Sequence, residues 1–216
     1  MGIALLLIVI TIEDNVFGEK FHSEVLNYCK NDANYKNYKV GDKNFYCDVN
    51  NVGIVEEPIV RHLESSNKKI KPIFSYYRIA TNKLDTDWRI HCDINIFKEK
   101  PTNACVYYIS SNNKILNGTA IWKHKKYGRY CPDISDEEFD RLILEDSNNL
   151  INWDIDFVIS GDADRLITYP SNVFHSKYPK KSWGENSTNC RIIFCMFYKE
   201  KSKKKRKNQR KEKVYI

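Results

Sequence analysis

The chain contains no C-x-x-C pair, and its seven cysteines, at 29, 47, 92, 105, 131, 190 and 195, are an odd number. In a body of 216 residues this argues against a disulfide framework. The cysteines read instead as buried small hydrophobes, in a reducing intracellular compartment. Long apolar runs are also missing. The stretch Ile3 to Ile10 is far short of the ~20 residues that span a bilayer. It has no basic n-region and no A-x-A-like cleavage site, so a buried first strand is expected rather than a signal peptide. Leu6 stands where a myristoylation signal after Gly2 wants Ser or Thr. No internal repeat is present. Net charge is scarce outside one segment: of the formal +7, Lys201 to Lys213 supplies nine Lys or Arg against one Glu, leaving the remainder at −1. The basicity is a tail, and the body presents no basic face.

What is present is ample material for one core. Apolar residues make up 42% and aromatics 13%, and the length suits a single domain. Phe17, Phe21, Val25 and Tyr28 fall at helical spacing, which predicts an amphipathic helix lying on a sheet. Asn31 to Asn51 reads as loop with one short strand around Phe45 to Val49. A second helix is expected from Glu56 to Glu64, with Pro58 in its first turn. From Ile70 onward the texture is that of strands. They are expected at 73–80, 88–97, 104–109, 119–122, 156–159, 165–169, 173–176 and 191–198, separated by Asn, Lys, Asp and Gly turns. Such a series predicts a sandwich or barrel.

An excursion of roughly Lys123 to Asp154 interrupts the series. Within it Ser135 and Glu138 have the spacing of a capping box, ahead of Phe139, Leu142 and Ile143 at helical intervals. Long excursions of this kind are often functional lids. The polar Lys177 to Asn189 stretch reads as a mobile loop. The organisation is therefore one domain over 1–200, with helical support over 1–70, a β core over 71–200 and a helical insertion at about 123–154, followed by a basic tail over 201–216.

The chemistry gathers around Trp88 to Phe97. In a strand, residues i and i+2 point to one face, so His91 and Asp93 would project together while Cys92 points away. An imidazole beside a carboxylate is two thirds of the 2-His-1-carboxylate set that holds non-haem Fe(II) with open positions. A second histidine follows late in the strand series, His175. Arg191 then opens the apolar strand Arg-Ile-Ile-Phe-Cys-Met-Phe-Tyr, sharing a face with Ile193 and Cys195. A cation on such a face is costly unless it meets an anion, and a guanidinium binds a carboxylate bidentately.

With His91-x-Asp93, a distal His175 after a Pro-containing turn, and Arg191 on the next strand, the chain resembles the Fe(II)- and 2-oxoglutarate-dependent dioxygenases, most closely the prolyl-hydroxylase-like branch. The likeness runs from about Phe74 to Tyr198. Cys105-Val-Tyr-Tyr-Ile-Ser110 looks like the strand that follows His-x-Asp in that family, and Asn117-Gly-Thr-Ala120 like its Gly-Gly-Thr turn, with Asn117 in place of the first Gly. The separation from Asp93 to His175 is long, which the insertion explains.

The resemblance implies a mainly β protein with flanking helices and a double-stranded β-helix, or jelly-roll, core of the cupin-like kind. It implies a hydroxylase with His91, Asp93 and His175 as catalytic iron ligands. Arg191 and the Tyr108 hydroxyl would take the distal carboxylate of 2-oxoglutarate, and Tyr77 would line the same pocket. Fe(II), 2-oxoglutarate and O2 would be the cofactors, with ascorbate as reductant, and hard chemistry of this kind belongs to metal and cosubstrate. The substrate would be a peptidyl or amino-acid side chain. Two alternatives stand beside it: a non-catalytic β-helix module recruited to nucleic acid by the tail, or the same oxidation on a nucleobase.

Other features carry plainer readings. His22, His62 and His124 fit no ligand pattern and are expected on surfaces or helix faces. Tyr76 and Tyr107 are expected in the core, and Trp88 and Trp183 in packing. Lys201-Ser-Lys-Lys-Lys-Arg-Lys is either a nuclear-localisation or nucleic-acid-attracting arm or a solvated end. The glycosylation sequons at Asn117 and Asn186 are chance matches in a reducing compartment.

Overall fold

A computed structural model describes residues 9–40, 43–66, 68–85, 87–95, 99–112, 115–186 and 188–202. The basic run beyond Ser202 and most of the apolar N-terminal run lie outside them. Eleven strands and three α-helices make up the described chain. In order these are β1 Thr11–Glu13, α1 Gly18–Asn31, β2 Lys36–Val40, β3 Lys43–Asp48, α2 Gly53–Glu64, β4 Lys68–Ala80, β5 Asn103–Tyr108 and β6 Gly118–His124. There follow α3 Asp136–Leu144, β7 Trp153–Ser160, β8 Arg165–Pro170, β9 His175–Tyr178, β10 Gly184–Asn186 and β11 Asn189–Ser202. No helix among these residues is long and apolar enough to cross a membrane.

The strands form two facing sheets. The major one runs β1-β8-β5-β11-β4-β3-β2 with β10 paired to β11, and the minor one β7-β6-β9. All pairings are antiparallel. The result is the expected jelly-roll core with helices outside.

β11 is the centre of the design, paired to β4 from Arg191 to Ser202 and to β5 from Ile193 to Tyr198. Its near-continuous apolar run is explained by burial on both faces. Ile192, Phe194, Met196 and Tyr198 face outward, where they meet Val25 and Cys29 of α1 and Val55 and Ile59 of α2. Ile193, Cys195 and Phe197 face inward, toward Ile121 and Ile159 of the minor sheet. Each fully buried large side chain, Phe194 among them, contributes about 1.5–3 kcal/mol through surface removed from water.

Several elements depart from the sequence expectations. β2 lies in a stretch expected to be loop, and with β3 it forms a hairpin that widens the major sheet beyond β4. α2 begins at Gly53, so Pro58 sits inside the helix rather than in its first turn. Its N-cap, Val52, has no capping side chain, which left no start signal to read. Trp88 to Asn95 is not a regular strand. It makes one isolated bridge, His91 to His175, before turning at Asp93 to Asn95.

α3 is capped as its sequence suggests, Ser135 Oγ accepting from the Glu138 amide at 3.2 Å. The Glu138 carboxylate does not return the bond, taking donors from Tyr127 and Lys126 instead. Phe139 and Leu142 pack α3 onto Ile90, Trp122 and Phe174.

Gly118 starts β6 at φ +148°, where an added Cβ would meet the Ile159 carbonyl oxygen at 2.0 Å. Gly118→Ala is expected to cost at least about 1–3 kcal/mol of stability, read as a lower urea midpoint with an unchanged m-value.

Candidate metal centre

Two short pieces of backbone build the site. The His91 amide donates to His175 O at 3.0 Å and the His175 amide to His91 O at 2.8 Å, which fixes the two imidazoles side by side with centroids 4.4 Å apart. The Asp93 amide donates to Ser171 O at 2.6 Å, holding the turn that follows. Ile90 and Cys92 are anchored on the opposite side, in the cluster beneath α3. The alternation read from the sequence thus survives in a segment that is bridge and turn rather than strand.

Both histidines are oriented alike. Each Nδ1 donates to the carbonyl two residues earlier, His91 to Arg89 O at 2.8 Å and His175 to Val173 O at 2.9 Å. These bonds leave each Nε2 as the unprotonated, ligating nitrogen. His91 Nε2 lies 3.8 Å from Asp93 Oδ1, and His175 Nε2 lies 3.6 Å from Asp93 Oδ2. These separations are too long for hydrogen bonds. The three ligand atoms nonetheless lie within 4.8 Å of one another, a spacing one ion can bridge.

The electrostatics fit a cation. Asp93 is 2% exposed and its Oδ2 has no hydrogen-bond partner, an arrangement that costs free energy unless something positive meets it. Burial, opposed by His175, lifts the Asp93 carboxyl to about 6. Burial, with His175 beside it, lowers His91 to about 3. Two imidazoles with one carboxylate make up the donor set that suits Fe(II). Tyr169, fully inward on β8, places its hydroxyl 3.3 Å from His175 Nε2.

A second polar group sits two residues along the strands. His175 is in register with Ile121 and Lys177 with Thr119, a step of about 7 Å. There the Tyr108 and Thr119 hydroxyls are 2.6 Å apart. The Arg191 guanidinium lies 5.8 Å from the Tyr108 ring and donates to Gly118 O at 3.3 Å. Arg191 is 3% exposed and its Nε has no partner. Burial depresses its pKa. A buried guanidinium with an unsatisfied donor is a site for an anion. Gly161 packs against Tyr108 so closely that an added Cβ would come within 2.9 Å of the ring.

The structure therefore brings together His91, Asp93 and His175 at one point, and Tyr108 with Arg191 at the other. Tyr77 belongs to neither. It pairs with Phe194, not with an inward residue, and packs among the helices with its hydroxyl on Asn51 O at 3.2 Å. Its neighbour Tyr76, in register with Cys195, is the one that faces inward. Strand alternation left either parity open, and only the β4–β11 register decides it.

Sequence reasoning also missed Tyr169 and Lys177. The parity of Tyr169 follows from its i+2 relation to Ile167, a signal that was readable. Lys177, treated as the start of a loop, is buried on β9 beside Asp85. Burial, opposed by Asp85, brings it down to about 8. His124, expected at a surface, is buried on β6, its ring stacked on Tyr127. All seven cysteines are buried, where burial was expected of most of them.

No protein-family model matches the sequence, and no curated protein matches it. Solved structures do match in three dimensions. The non-heme alpha ketoglutarate dependent epimerase SnoN from nogalamycin biosynthesis superposes with TM-score 0.61 at 12% identity, covering 89% of this chain and 78% of its own. An oxidoreductase of the 2OG-Fe(II) oxygenase family from Burkholderia pseudomallei gives TM-score 0.55 at 8% identity, covering 88% and 85%. A prolyl hydroxylase from Trichoplax adhaerens, in complex with a hypoxia inducible factor oxygen degradation domain peptide fragment, gives 0.52 at 12%, covering 88% and 83%. At these identities the likeness is one of fold. The chain has the double-stranded β-helix fold of the 2-oxoglutarate and Fe(II) oxygenases.

His175→Ala is expected to weaken Mn(II) or Co(II) binding by more than about 100-fold, beyond the loss that removing an outer-shell partner causes, while circular dichroism is unchanged. Metal and proton compete for Asp93, whose carboxyl is raised to about 6. Apparent metal affinity measured by calorimetry should therefore fall as pH drops through 6.

Proposed function

We propose that this protein is an Fe(II)- and 2-oxoglutarate-dependent oxygenase, acting as a hydroxylase. The observation that carries the reading is the pairing of two sites in the interior between the sheets: the His91, Asp93 and His175 donors, and the buried Arg191, its Nε without a partner, beside Tyr108. His91, Asp93 and His175 would hold iron, and Arg191 with the Tyr108 hydroxyl would hold the distal carboxylate of 2-oxoglutarate. The step of about 7 Å along the strands suits a five-carbon dicarboxylate reaching from one site to the other.

When bound, iron and 2-oxoglutarate together supply the oxidising power, consuming O2 and yielding succinate. The chain's own contribution is placement and exclusion. The Nδ1 bonds to Arg89 O and Val173 O hold both imidazoles in their ligating tautomer. The Tyr108–Thr119 hydrogen bond sets the phenol toward the anion site. Tyr76, Tyr169 and Phe197 line the interior between the sheets with apolar surface that keeps bulk water out.

Reading the activity as hydroxylation of a peptidyl or amino-acid side chain rests on the prolyl-hydroxylase likeness. With Fe(II) and ascorbate the wild-type protein is expected to convert 2-oxoglutarate to succinate, slowly in the absence of substrate. Absence of both turnover and iron binding would overturn the reading. Arg191→Gln is expected to weaken 2-oxoglutarate binding roughly 10- to 100-fold, the value of a charge-assisted bond to a buried carboxylate. Tyr77→Phe should leave it unchanged in the same titration.

A further inference from the structure

The major sheet is wider than the minor sheet, and this leaves part of its inward face uncovered. β3 and β2 extend it past β4 with no opposing strand among the described residues. Across this overhang Tyr38 and Phe45 stand opposite each other on the hairpin, and Cys47 stands opposite Arg78. Phe74 continues the row on β4, 39% exposed, and Phe139 of the insertion helix forms the far wall. The cleft, open to solvent on one side, holds about 480 Å³, and His91 and Asp93 are among the residues that line it. Its volume is that of sites for small organic molecules. Exposed aromatic surface gathered in one place marks a binding site rather than a chance surface.

The charged groups at this end are unequal. Arg78, Lys177 and Arg89 stand against Asp85 and Asp87, leaving a net positive charge apart from the metal ligand Asp93. Arg78 is satisfied by both oxygens of Asp85 and lies over the Phe45 ring. Arg89 is different. Its Nε donates to Asp87 Oδ1 at 2.9 Å. Its two terminal nitrogens have no partner among the described residues, and its side chain lines the cleft. Because the Arg89 carbonyl holds His91 Nδ1, this half-used guanidinium is tied to the metal centre through one peptide.

Resting on the oxygenase reading, we propose that the cleft is the substrate site and that it takes a small ring-bearing organic anion. The ring system stacks in the aromatic row and the carboxylate, sulfonate or phosphate pairs with Arg89. The guanidinium offers the planar fork that oxyanions accept. Holding the anion there would bring the adjoining C–H bonds of the ring-bearing body to the mouth of the metal centre.

Two fluorescent probes test this on the full chain: 8-anilinonaphthalene-1-sulfonate, and the uncharged N-phenyl-1-naphthylamine. Both are expected to bind the wild type. Arg89→Gln should weaken the sulfonate about tenfold, the worth of one charge-assisted pair, and leave the uncharged probe within twofold. Phe74→Asp, at a part-exposed position, should weaken both, with thermal unfolding reporting that the fold is kept. Loss of neither probe in Phe74→Asp, equal effects of Arg89→Gln on both, or no binding by the wild type would overturn the proposal. Mn(II) titration separates it from the oxygenase reading. Protein that loads metal but ignores the probes fails only here. Protein that binds the probes as expected but loads no metal supports the cleft chemistry and overturns the oxygenase reading.

Discussion

The paired backbone hydrogen bonds between His91 and His175 hold the functional end of this molecule together. The segment between β4 and β5 has no other regular strand pairing among its described residues; the Ile90 amide on Ser147 O and the Asp93 amide on Ser171 O add single tethers on either side of that bridge. With it, two imidazoles are set 4.4 Å apart and a following turn swings Asp93 between them. The same carbonyl groups that precede each histidine set its tautomer. One backbone arrangement therefore decides ligand position and ligand protonation together, and the cleft, the anion site and the insertion helix are arranged around its product.

Charge in the interior divides into two kinds. Arg78, Lys177, Asp85, Arg89 and Asp87 form ion pairs that largely satisfy one another, as buried charges must. Asp93 Oδ2 and Arg191 Nε are left unpartnered. They are of opposite sign and both buried, Asp93 beside His175 and Arg191 beside Tyr108. Buried polar atoms left open in this way carry a cost in stability, which is the physical ground for the proposal that a cation and an anion bind here.

The insertion that lengthens the path from Asp93 to His175 has a place in this scheme. α3 covers the outer side of the minor sheet, burying Phe139 and Leu142 on the residues that back the His91 segment. Its edge also walls the cleft. It supports the ligands from behind while shaping what reaches them from the front, which a free lid would not do.

Much of this was legible in the residues. The helix over Phe17 to Tyr28 declared itself by spacing, α3 by its Ser135 cap, and β11 by its apolar run with Arg191 at the head. The grouping of His91, Asp93 and His175 was readable because His-x-Asp, a later His and a strand-opening Arg come in that order along the chain. What escaped did so for reasons of register and packing. β2 has a polar sequence because it is a sheet edge. Pro58 looked like a helix start because the true start carries no cap. Tyr76 and Tyr77 are indistinguishable until β4 is laid against β11, and a shift of one residue exchanges the pocket for the helix-facing core. Local pattern determined which groups this chain possesses and in what periodicity they repeat, since helix and strand geometry are set by neighbours along the chain. Tertiary structure decided which of them meet. Whether a buried charge finds a partner, and which face of a strand looks into the barrel, depend on segments far away in the sequence, as β4 is from β11, that no local window contains.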